Sequence, residues 1–190
     1  MIAGIDEAGR GALAGPIVSA LVILSPDIGK NQFVDSKSIN ESKRLNLYTL
    51  LRKSNSTIEF SIINNKVIDK LHVLQATMIS MKNCISKIES KNIIPNEIII
   101  DGNKKPNNST NIVKTCVKGD SLIPEISAAS IVAKVIRDKI MYKYAKILDK
   151  YNFDIHKGYG TKQHYDSIEK YGITKIHRKS FNLNRQLKLF

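Results

Sequence analysis

The sequence of residues 2–24 is IAGIDEAGRGALAGPIVSALVIL. It contains two apolar runs, Ile2–Asp6 and Ile17–Leu24, separated by a connection rich in glycine. Short apolar runs bounded by glycine and proline are typical of buried β-strands. The stretch therefore predicts two neighbouring strands, which we expect to be antiparallel because they follow each other closely.

Further strand and helix patterns alternate along the chain. Three more apolar runs of strand length follow, at Thr57–Ile63, Glu97–Asp101 and Ile112–Val117. Apolar residues at helical spacing form a short stripe around 47–51 and long stripes over 67–88 and 128–148. The stripe over 67–88 also fits a coiled-coil seam, but its position between strands favours packing on a sheet. The order predicts an α/β fold with a mixed five-stranded sheet flanked by helices, the helix-linked strands being parallel.

Composition and charge narrow the class of protein. The 190 residues are 42% hydrophobic and 25% charged, which is typical of a globular domain. The 30 Lys and Arg residues outnumber the 17 Asp and Glu residues, which gives a net charge of +13 and favours a polyanionic partner.

The sequence shows no signal for a membrane or for secretion. No apolar run reaches the roughly 18 residues of a membrane span, and the N-terminus lacks the pattern of a signal peptide. Cys84 and Cys116 are predicted to be buried free thiols. We therefore expect a cytoplasmic monomer that binds nucleic acid and no membrane.

Acidic residues end three of the predicted strands. Asp6 and Glu7 follow the first strand, Asp101 ends a later one, and Asp120 follows the last. Because sites in open α/β sheets lie at the carboxyl ends of strands, we expect the four carboxylates to meet there. Such a cluster needs raised pKa values or bound cations, and oxygen ligands alone suit Mg²⁺ or Mn²⁺. Two such ions support phosphodiester hydrolysis. The alternative is that each acid is only a turn former or a helix cap.

The glycine-rich connection is a candidate phosphate-binding loop. Gly9 and Gly11 allow the backbone to approach a ligand closely, and Arg10 between them suits a phosphate. Adjacent strand residues face opposite sides, so Asp6 and Glu7 reach one site only if the strand ends near Glu7. Tyr159, between two glycines, is predicted to stack on a sugar or a base. The alternative for Gly9–Gly11 is a plain glycine turn, and the alternative for the segment around Tyr159 is a solvated basic surface.

Six short segments together resemble the ribonuclease HII family, the type 2 ribonucleases H. They are Asp6–Gly11, Asp35–Lys37, Ile100–Asn103, Lys118–Ser121, Ala128–Lys134 and His156–Thr161. The segments lie in the family's order between residue 2 and about residue 181. The family usually has a lysine where this chain has Ser38, and a leucine where it has Ile39.

The resemblance implies a ribonuclease H-like fold and a metal-dependent endoribonuclease. Such an enzyme cleaves the RNA strand of RNA/DNA hybrids, cuts 5′ to single ribonucleotides in duplex DNA, and leaves 5′-phosphate and 3′-hydroxyl ends. This activity serves ribonucleotide excision repair. The resemblance assigns the roles of catalytic acids and ligands for Mn²⁺ or Mg²⁺, with two ions during catalysis, to Asp6, Glu7, Asp101 and Asp120. It assigns reading of the ribose 2′-hydroxyl to Gly9, Arg10 and Gly11, stacking at the RNA–DNA junction to Tyr159, and contact with the substrate backbone to Lys37.

Two alternatives to an enzyme remain at this point. One is a nucleic-acid-binding module without catalysis, which the net charge of +13 fits equally well. The four acids favour the enzyme, because carboxylates facing phosphate give a pure binder no advantage. The other is a peripheral membrane protein, against which the lack of a basic amphipathic helix with exposed aromatics argues. We expect residues 1–150 to form the catalytic domain and residues 151–190 a basic substrate-binding segment packed on it.

Overall fold

The computed structural model describes residues 1–33, 39–107 and 112–184. The strands in these ranges are β1 (Ile2–Ala8), β2 (Ile17–Ile23), β3 (Thr57–Ile63), β4 (Glu97–Asp101) and β5 (Val113–Cys116). The α-helices are α1 (Glu41–Lys53), α2 (Asn65–Glu89), α3 (Pro124–Ile147), α4 (Phe153–His156) and α5 (Lys162–Tyr171). Short 3-10 helices occur at Lys30–Phe33, Gly119–Ser121 and Asp149–Tyr151.

One mixed five-stranded sheet has the strand order β3-β2-β1-β4-β5. β1 pairs with β2 in the antiparallel sense and with β4 in the parallel sense. β2 pairs antiparallel with β3, and β4 pairs parallel with β5. The predicted mixed sheet, with an antiparallel first pair, is therefore confirmed. The expectation that helix-linked strands are parallel is wrong for β2 and β3, which α1 connects and which are antiparallel.

Apolar residues on both faces of the sheet build the core. On one face, α1 and α3 pack against Val18, Ala20 and Val22 of β2. On the other face, α2 packs against strand residues that include Ala3 and Ile5. Gly4 lets α3 come close to β1, because a Cβ atom at this position would lie 2.2 Å from the backbone carbon of Glu125. The N-terminal half of α3 is thereby held directly over the strand that carries Asp6.

The predicted apolar stripe of α2 is correct only in its second half. Met81, Ile85 and Ile88 are buried against the sheet as expected. The helix is interrupted at His72, whose φ of 63° lies in the left-handed region. Because of this interruption, the part of α2 before His72 does not continue the apolar face of the part after it. In the first part Ile68 is buried, while Val67 stays partly exposed. Of the two cysteines, which are both free, Cys84 is buried as predicted and Cys116 is half-buried.

Residues 149–184 pack closely on the sheet domain. Tyr151, Phe153 and Ile176 form a buried cluster with Ala14 and Met141. Two isolated bridges, Ala12 with Tyr159 and Ala14 with His177, connect this region to the loop between β1 and β2. The helices α4 and α5 were not predicted from the sequence. No α-helix in the described ranges has the length and hydropathy that a membrane span requires.

Candidate active site

Asp6 and Asp101 lie at the same edge of the sheet on neighbouring parallel strands. Ile5 of β1 stands opposite Ile100 of β4, and one further step along both strands brings Asp6 beside Asp101. In-register residues of parallel strands point to the same face. The carboxyl ends of β1 and β4 therefore present these two carboxylates together.

Asp120 directly follows Gly119, whose backbone N–H hydrogen-bonds the Asp101 carboxylate. The 3-10 helix Gly119–Ser121 follows β5, and the Gly119 N–H donates to Oδ1 of Asp101 over 2.7 Å. Asp120 itself is fully buried. The turn after β5 thus places this third predicted acid beside the end of β4.

Glu7 lies one residue before the end of β1. The last residue of the strand is Ala8, which pairs with Val18, so β1 ends near Glu7 as expected from the sequence. The Glu7 carboxylate forms an ion pair with Arg10 over 3.2 Å. It also interacts electrostatically with Asp101. Glu7 at the end of β1 is therefore within electrostatic range of both Asp6 and Asp101.

Burial and nearby negative charges raise the pKa values of Asp6 and Glu7. Burial raises the pKa of Asp6 well above its usual range, and the charges of Glu7 and Asp101 raise it further. Hydrogen bonds from the Ser130 hydroxyl and from the Glu7 N–H, at 2.7 Å, act in the opposite direction. Burial also raises the pKa of Glu7, against the charge and hydrogen bond of Arg10. Such mutual repulsion is the condition that a bound cation relieves.

The donor set fits a hard cation by its chemistry. Carboxylate oxygens are the ligands that Mg²⁺ and Mn²⁺ prefer, and Asp6, Glu7 and Asp101 are close enough to interact electrostatically. Within residues 1–33, 39–107 and 112–184, no three Asp, Glu, His or Cys side chains have the spacing of a metal site. The convergence of all four acids on metal ions therefore stays a prediction.

A groove of about 430 Å³ lies beside these acids. Its lining residues are Glu7, Ala8, Gly9, Arg10, Gly11, Arg44, Ser130, Ile131, Lys134 and Tyr159. The structure thus brings together one predicted acid, the three predicted loop residues and the predicted stacking tyrosine. Lys37, the remaining predicted contact, lies outside the described residues.

Three groove residues were missed by the sequence analysis of the site. Ser130 and Lys134 stand four positions apart on α3, within a segment that carries the family resemblance. That spacing puts them on one helix face, which was the available signal. Arg44 on α1 donates to the Ile39 carbonyl oxygen over 3.0 Å. Nothing in its local sequence distinguishes it from the neighbouring basic residues.

Two buried arginines support the loop of residues 9–16, which we call the glycine loop. Arg137 and Arg178 are both fully buried. Arg137 donates to the carbonyl oxygens of Pro16 and Ala14 over 3.0 and 3.2 Å. The carboxylate of the adjacent Asp138 accepts from Lys134 over 2.9 Å. Within His177–Phe181, His177 and Arg178 are buried, whereas Lys179 and Ser180 are exposed.

Tyr159 is half-buried and faces the groove. The Arg137 guanidinium carbon lies 5.0 Å from its ring centre, and the Lys134 ammonium lies 5.6 Å from it. The bridge to Ala12 fixes its backbone against the glycine loop. The ring therefore has two cations close to it and borders the groove.

A chain of neutral histidines lies behind Tyr159. His164 is fully buried, and its Nδ1 lies 3.0 Å from the Tyr159 carbonyl oxygen. Because a carbonyl only accepts, Nδ1 donates and Nε2 of His164 is left to accept from Nε2 of His177 over 3.1 Å. Nδ1 of His177 in turn accepts from the Thr174 N–H over 2.9 Å. Burial lowers the pKa of His164 and of His177 to about 4 in each case.

Solved structures with the same fold are ribonucleases. The ribonuclease HII of Archaeoglobus fulgidus, solved as a complex with PCNA, has a TM-score of 0.77 and 23% identity over 98% of this chain and 97% of that chain. Bst-RNase HIII in complex with Mn²⁺ has a TM-score of 0.80 and 17% identity over 96% of this chain and 67% of that chain. These similarities define the class of the protein, an α/β protein with the ribonuclease H-like fold.

The sequence relatives show which family within this class. The family model for Ribonuclease HII matches residues 3–184. The ribonuclease HII of Coxiella burnetii is 44% identical over 190 residues, which are 100% of this chain and 92% of the relative. That of Endomicrobium trichonymphae is 43% identical over 181 residues, which are 95% and 85% of the two chains. The chain belongs to the ribonuclease HII family and is a type 2 ribonuclease H.

Proposed function

We propose that this ribonuclease H hydrolyses the RNA strand of RNA/DNA hybrids and also cuts duplex DNA 5′ to single embedded ribonucleotides. Both reactions would leave 5′-phosphate and 3′-hydroxyl ends. Membership of the ribonuclease HII family supports endoribonuclease activity on hybrids. The observation that carries the proposal is the position of Asp6 and Asp101 at one sheet edge, beside a groove whose wall is cationic.

Asp6, Glu7, Asp101 and Asp120 are the proposed catalytic acids and metal ligands. Their oxygen chemistry suits Mn²⁺ or Mg²⁺, and the repulsion that raises the pKa of Asp6 and Glu7 supports a cation there. The Mn²⁺ complex of Bst-RNase HIII, which has the same fold, adds support. When bound, two ions would activate the attacking water and stabilise the leaving oxygen. The acids would hold the ions, and Ser130 would orient Asp6 through its hydrogen bond.

The glycine loop and Tyr159 are the proposed readers of the RNA–DNA junction. Gly9, Arg10 and Gly11 line the groove directly after two proposed metal ligands, so a ribose bound to them would lie beside the scissile phosphate. The 2′-hydroxyl is the group that separates RNA from DNA at such a position. Tyr159 lies in the same groove and offers a flat surface to the following deoxyribose, which has no hydroxyl in the way.

The basic residues around the groove are proposed to hold the duplex. Arg10, Arg44 and Lys134 line it, and the net charge of +13 favours a polyanion. Lys37 is proposed as a further backbone contact on the resemblance alone. We propose residues 1–150 as the catalytic domain and 151–190 as the substrate-binding segment, which supplies Tyr159.

Cleavage of labelled duplexes tests the function. The substrates are a long RNA/DNA hybrid and a DNA duplex with one ribonucleotide, each incubated with Mn²⁺, with Mg²⁺ or with EDTA. We expect cleavage with a metal, none with EDTA, and none by Asp101→Asn. Glu97→Gln is the matched control, because Glu97 begins the same strand, β4, at the opposite end. Cleavage in EDTA, or an active Asp101→Asn enzyme, contradicts the metal site.

A further inference from the structure

Arg178 makes an unusual set of contacts with the glycine loop. Its guanidinium donates from Nη2 to the Gly9 carbonyl oxygen over 2.7 Å and from Nη1 to that of Arg10 over 2.8 Å. Nε and Nη2 both donate to the Gly15 carbonyl oxygen, over 3.1 and 3.0 Å. One side chain thus binds three carbonyl groups of the loop.

These contacts determine which way the peptide groups of the loop point. A trans peptide unit directs its C=O and its N–H to opposite sides. Since the Gly9 and Arg10 carbonyls point inward to Arg178, the N–H groups of Arg10 and Gly11 point away from it. Arg10 and Gly11 line the groove. The outward N–H groups are therefore presented on the groove side of the loop.

Because Arg178 is buried, its guanidinium depends on the loop carbonyls as hydrogen-bond partners. A buried guanidinium is costly unless its donors are satisfied, and its partners here are loop carbonyls. Burial and the charge of Arg137 lower the pKa of Arg178 to about 9, while Asp69 acts in the opposite direction. The Arg178 N–H also donates to the Leu13 carbonyl oxygen over 2.8 Å, which fixes the residue against the loop. A lysine in this position keeps the charge but has no planar fork to bind several carbonyls.

We propose that Arg178 is the positioning residue for ribose recognition, holding the glycine loop so that the Arg10 and Gly11 N–H groups meet the 2′-hydroxyl. The inference rests on the proposed function of the glycine loop. Arg178 does not touch the substrate in this arrangement. It acts through the peptide groups whose carbonyls it binds.

The test is the preference of the full chain for ribose, measured as binding in EDTA so that nothing is cut. The probes are a DNA duplex with one ribonucleotide and the same duplex made only of DNA. We expect Arg178→Lys to reduce the ratio of the two affinities by roughly tenfold, toward unity, because hydrogen bonds to the hydroxyl are lost. Affinity for the all-DNA duplex should stay close to that of the wild type.

Ile88→Ala controls for a general loss of stability. Ile88 is fully buried on α2, against the sheet face opposite α3, so this variant should lose stability and keep the ribose preference. If Arg178→Lys keeps the preference as well, the inference is wrong. If the wild type shows no preference for ribose, the proposed reading of ribose by the glycine loop is itself wrong.

A second measurement does not depend on the variant folding. In amide NMR spectra of the wild type, the Arg10 and Gly11 signals should shift with the ribonucleotide duplex more than with the all-DNA duplex. Equal shifts of both signals with the two duplexes would overturn the inference.

Discussion

The guanidinium carbon of Arg137 lies 5.0 Å from the centre of the Tyr159 ring. Arg137 is fully buried in α3, whereas Tyr159 is half-buried and lines the groove. A cation against an aromatic face is attractive, especially away from water. The same guanidinium donates to the Ala14 and Pro16 carbonyls. One residue of α3 therefore supports both elements that we propose to read the substrate, the ring and the glycine loop.

This arrangement predicts that the ring of Tyr159, and not its hydroxyl, matters for cleavage. Tyr159→Phe keeps the aromatic face above Arg137 and should cleave nearly as the wild type does. Tyr159→Ala should lose about 1–3 kcal/mol of stacking on a duplex with a single ribonucleotide. On a long hybrid the loss should be smaller, because ribose continues on both sides of the cut.

The measurement is kcat/KM of both variants on the two substrates. An equal loss on both substrates, or no loss on either, would return Tyr159 to the alternative of a surface aromatic without a role at the junction.

The sheet was predictable from sequence because its signals are local. Each strand is an apolar run with polar residues or glycine at its ends, and β2 is buried along its whole length. The predicted strand limits differ from the observed ones by two residues at most. The positions of Asp6, Glu7 and Asp101 at strand ends were predictable for the same reason, since strand ends are visible in the sequence. The break in α2 was not, because His72 in the left-handed region has no compositional signal.

The support of the site was not predictable because its partners are distant in sequence. Because burial of charge is costly, the sequence alone gives no reason to place Arg178 in the core. The carbonyl groups that offset the cost belong to a loop more than 160 residues earlier, as the Gly9 contact shows with a separation of 169. His164 and His177 are similar, because burial lowers the pKa of each, and the groups that hydrogen-bond them are themselves brought together only by the fold. No periodic pattern records such contacts.

Asp6→Asn is predicted to inactivate the enzyme and to stabilise the fold at neutral pH. The pKa of Asp6 is raised in the folded protein, so the ionised form destabilises the fold as pH rises through that value. Asparagine keeps the oxygen that accepts from the Glu7 N–H and removes the charge. We expect a gain on the order of 1–2 kcal/mol at pH 7 that disappears in acid, where Asp6 is protonated.

Urea unfolding between pH 3.5 and about 7 measures this gain. Asp69→Asn is the control of opposite sign. The pKa of Asp69 is lowered, chiefly by hydrogen bonds from Ser180 and Lys179 that outweigh the effect of burial, so removal of its charge should destabilise the fold at neutral pH. A destabilised Asp6→Asn protein at pH 7 would contradict the account of repulsion at the site.

The histidine pair predicts a loss of stability in mild acid. The folded pKa values of His164 and His177 are lowered to about 4, against an ordinary value near 6.5. Below about pH 6.5 the unfolded chain therefore binds more protons, and stability falls as pH decreases toward 4. The loss should be on the order of 3 kcal/mol for each histidine that titrates independently, partly offset by protonation of Asp6 and Glu7.

Unfolding of His164→Gln over the same pH range separates this effect from the carboxylates. The variant should begin less stable, since the links to Tyr159 and His177 are disturbed, and its stability should change less with pH. A slope as steep as that of the wild type would assign the acid sensitivity to other groups.

Alanine substitutions at two glycines of the glycine loop distinguish an effect on folding from an effect on substrate contact. Gly9 has a φ of 95°, and a Cβ atom there would lie 2.1 Å from Nε of Arg137. Gly9→Ala is therefore expected to cost about 3 kcal/mol or more of stability. Gly11 is exposed, and a Cβ atom there meets no heavy atom within 4 Å. Gly11→Ala should unfold within about 0.5 kcal/mol of the wild type.

Because Gly11→Ala is expected to fold as the wild type does, any loss of its activity reports on substrate contact in the groove. If a ribose approaches the backbone at this position, the added methyl group occupies its space, and cleavage of the single-ribonucleotide duplex should fall by roughly tenfold or more. The comparison is kcat/KM against a melting temperature measured on the same preparation. Wild-type cleavage by Gly11→Ala would mean that the substrate does not come within contact distance of Gly11. Recognition of the ribose would then have to rest on Gly9 and Arg10, whose carbonyls Arg178 holds.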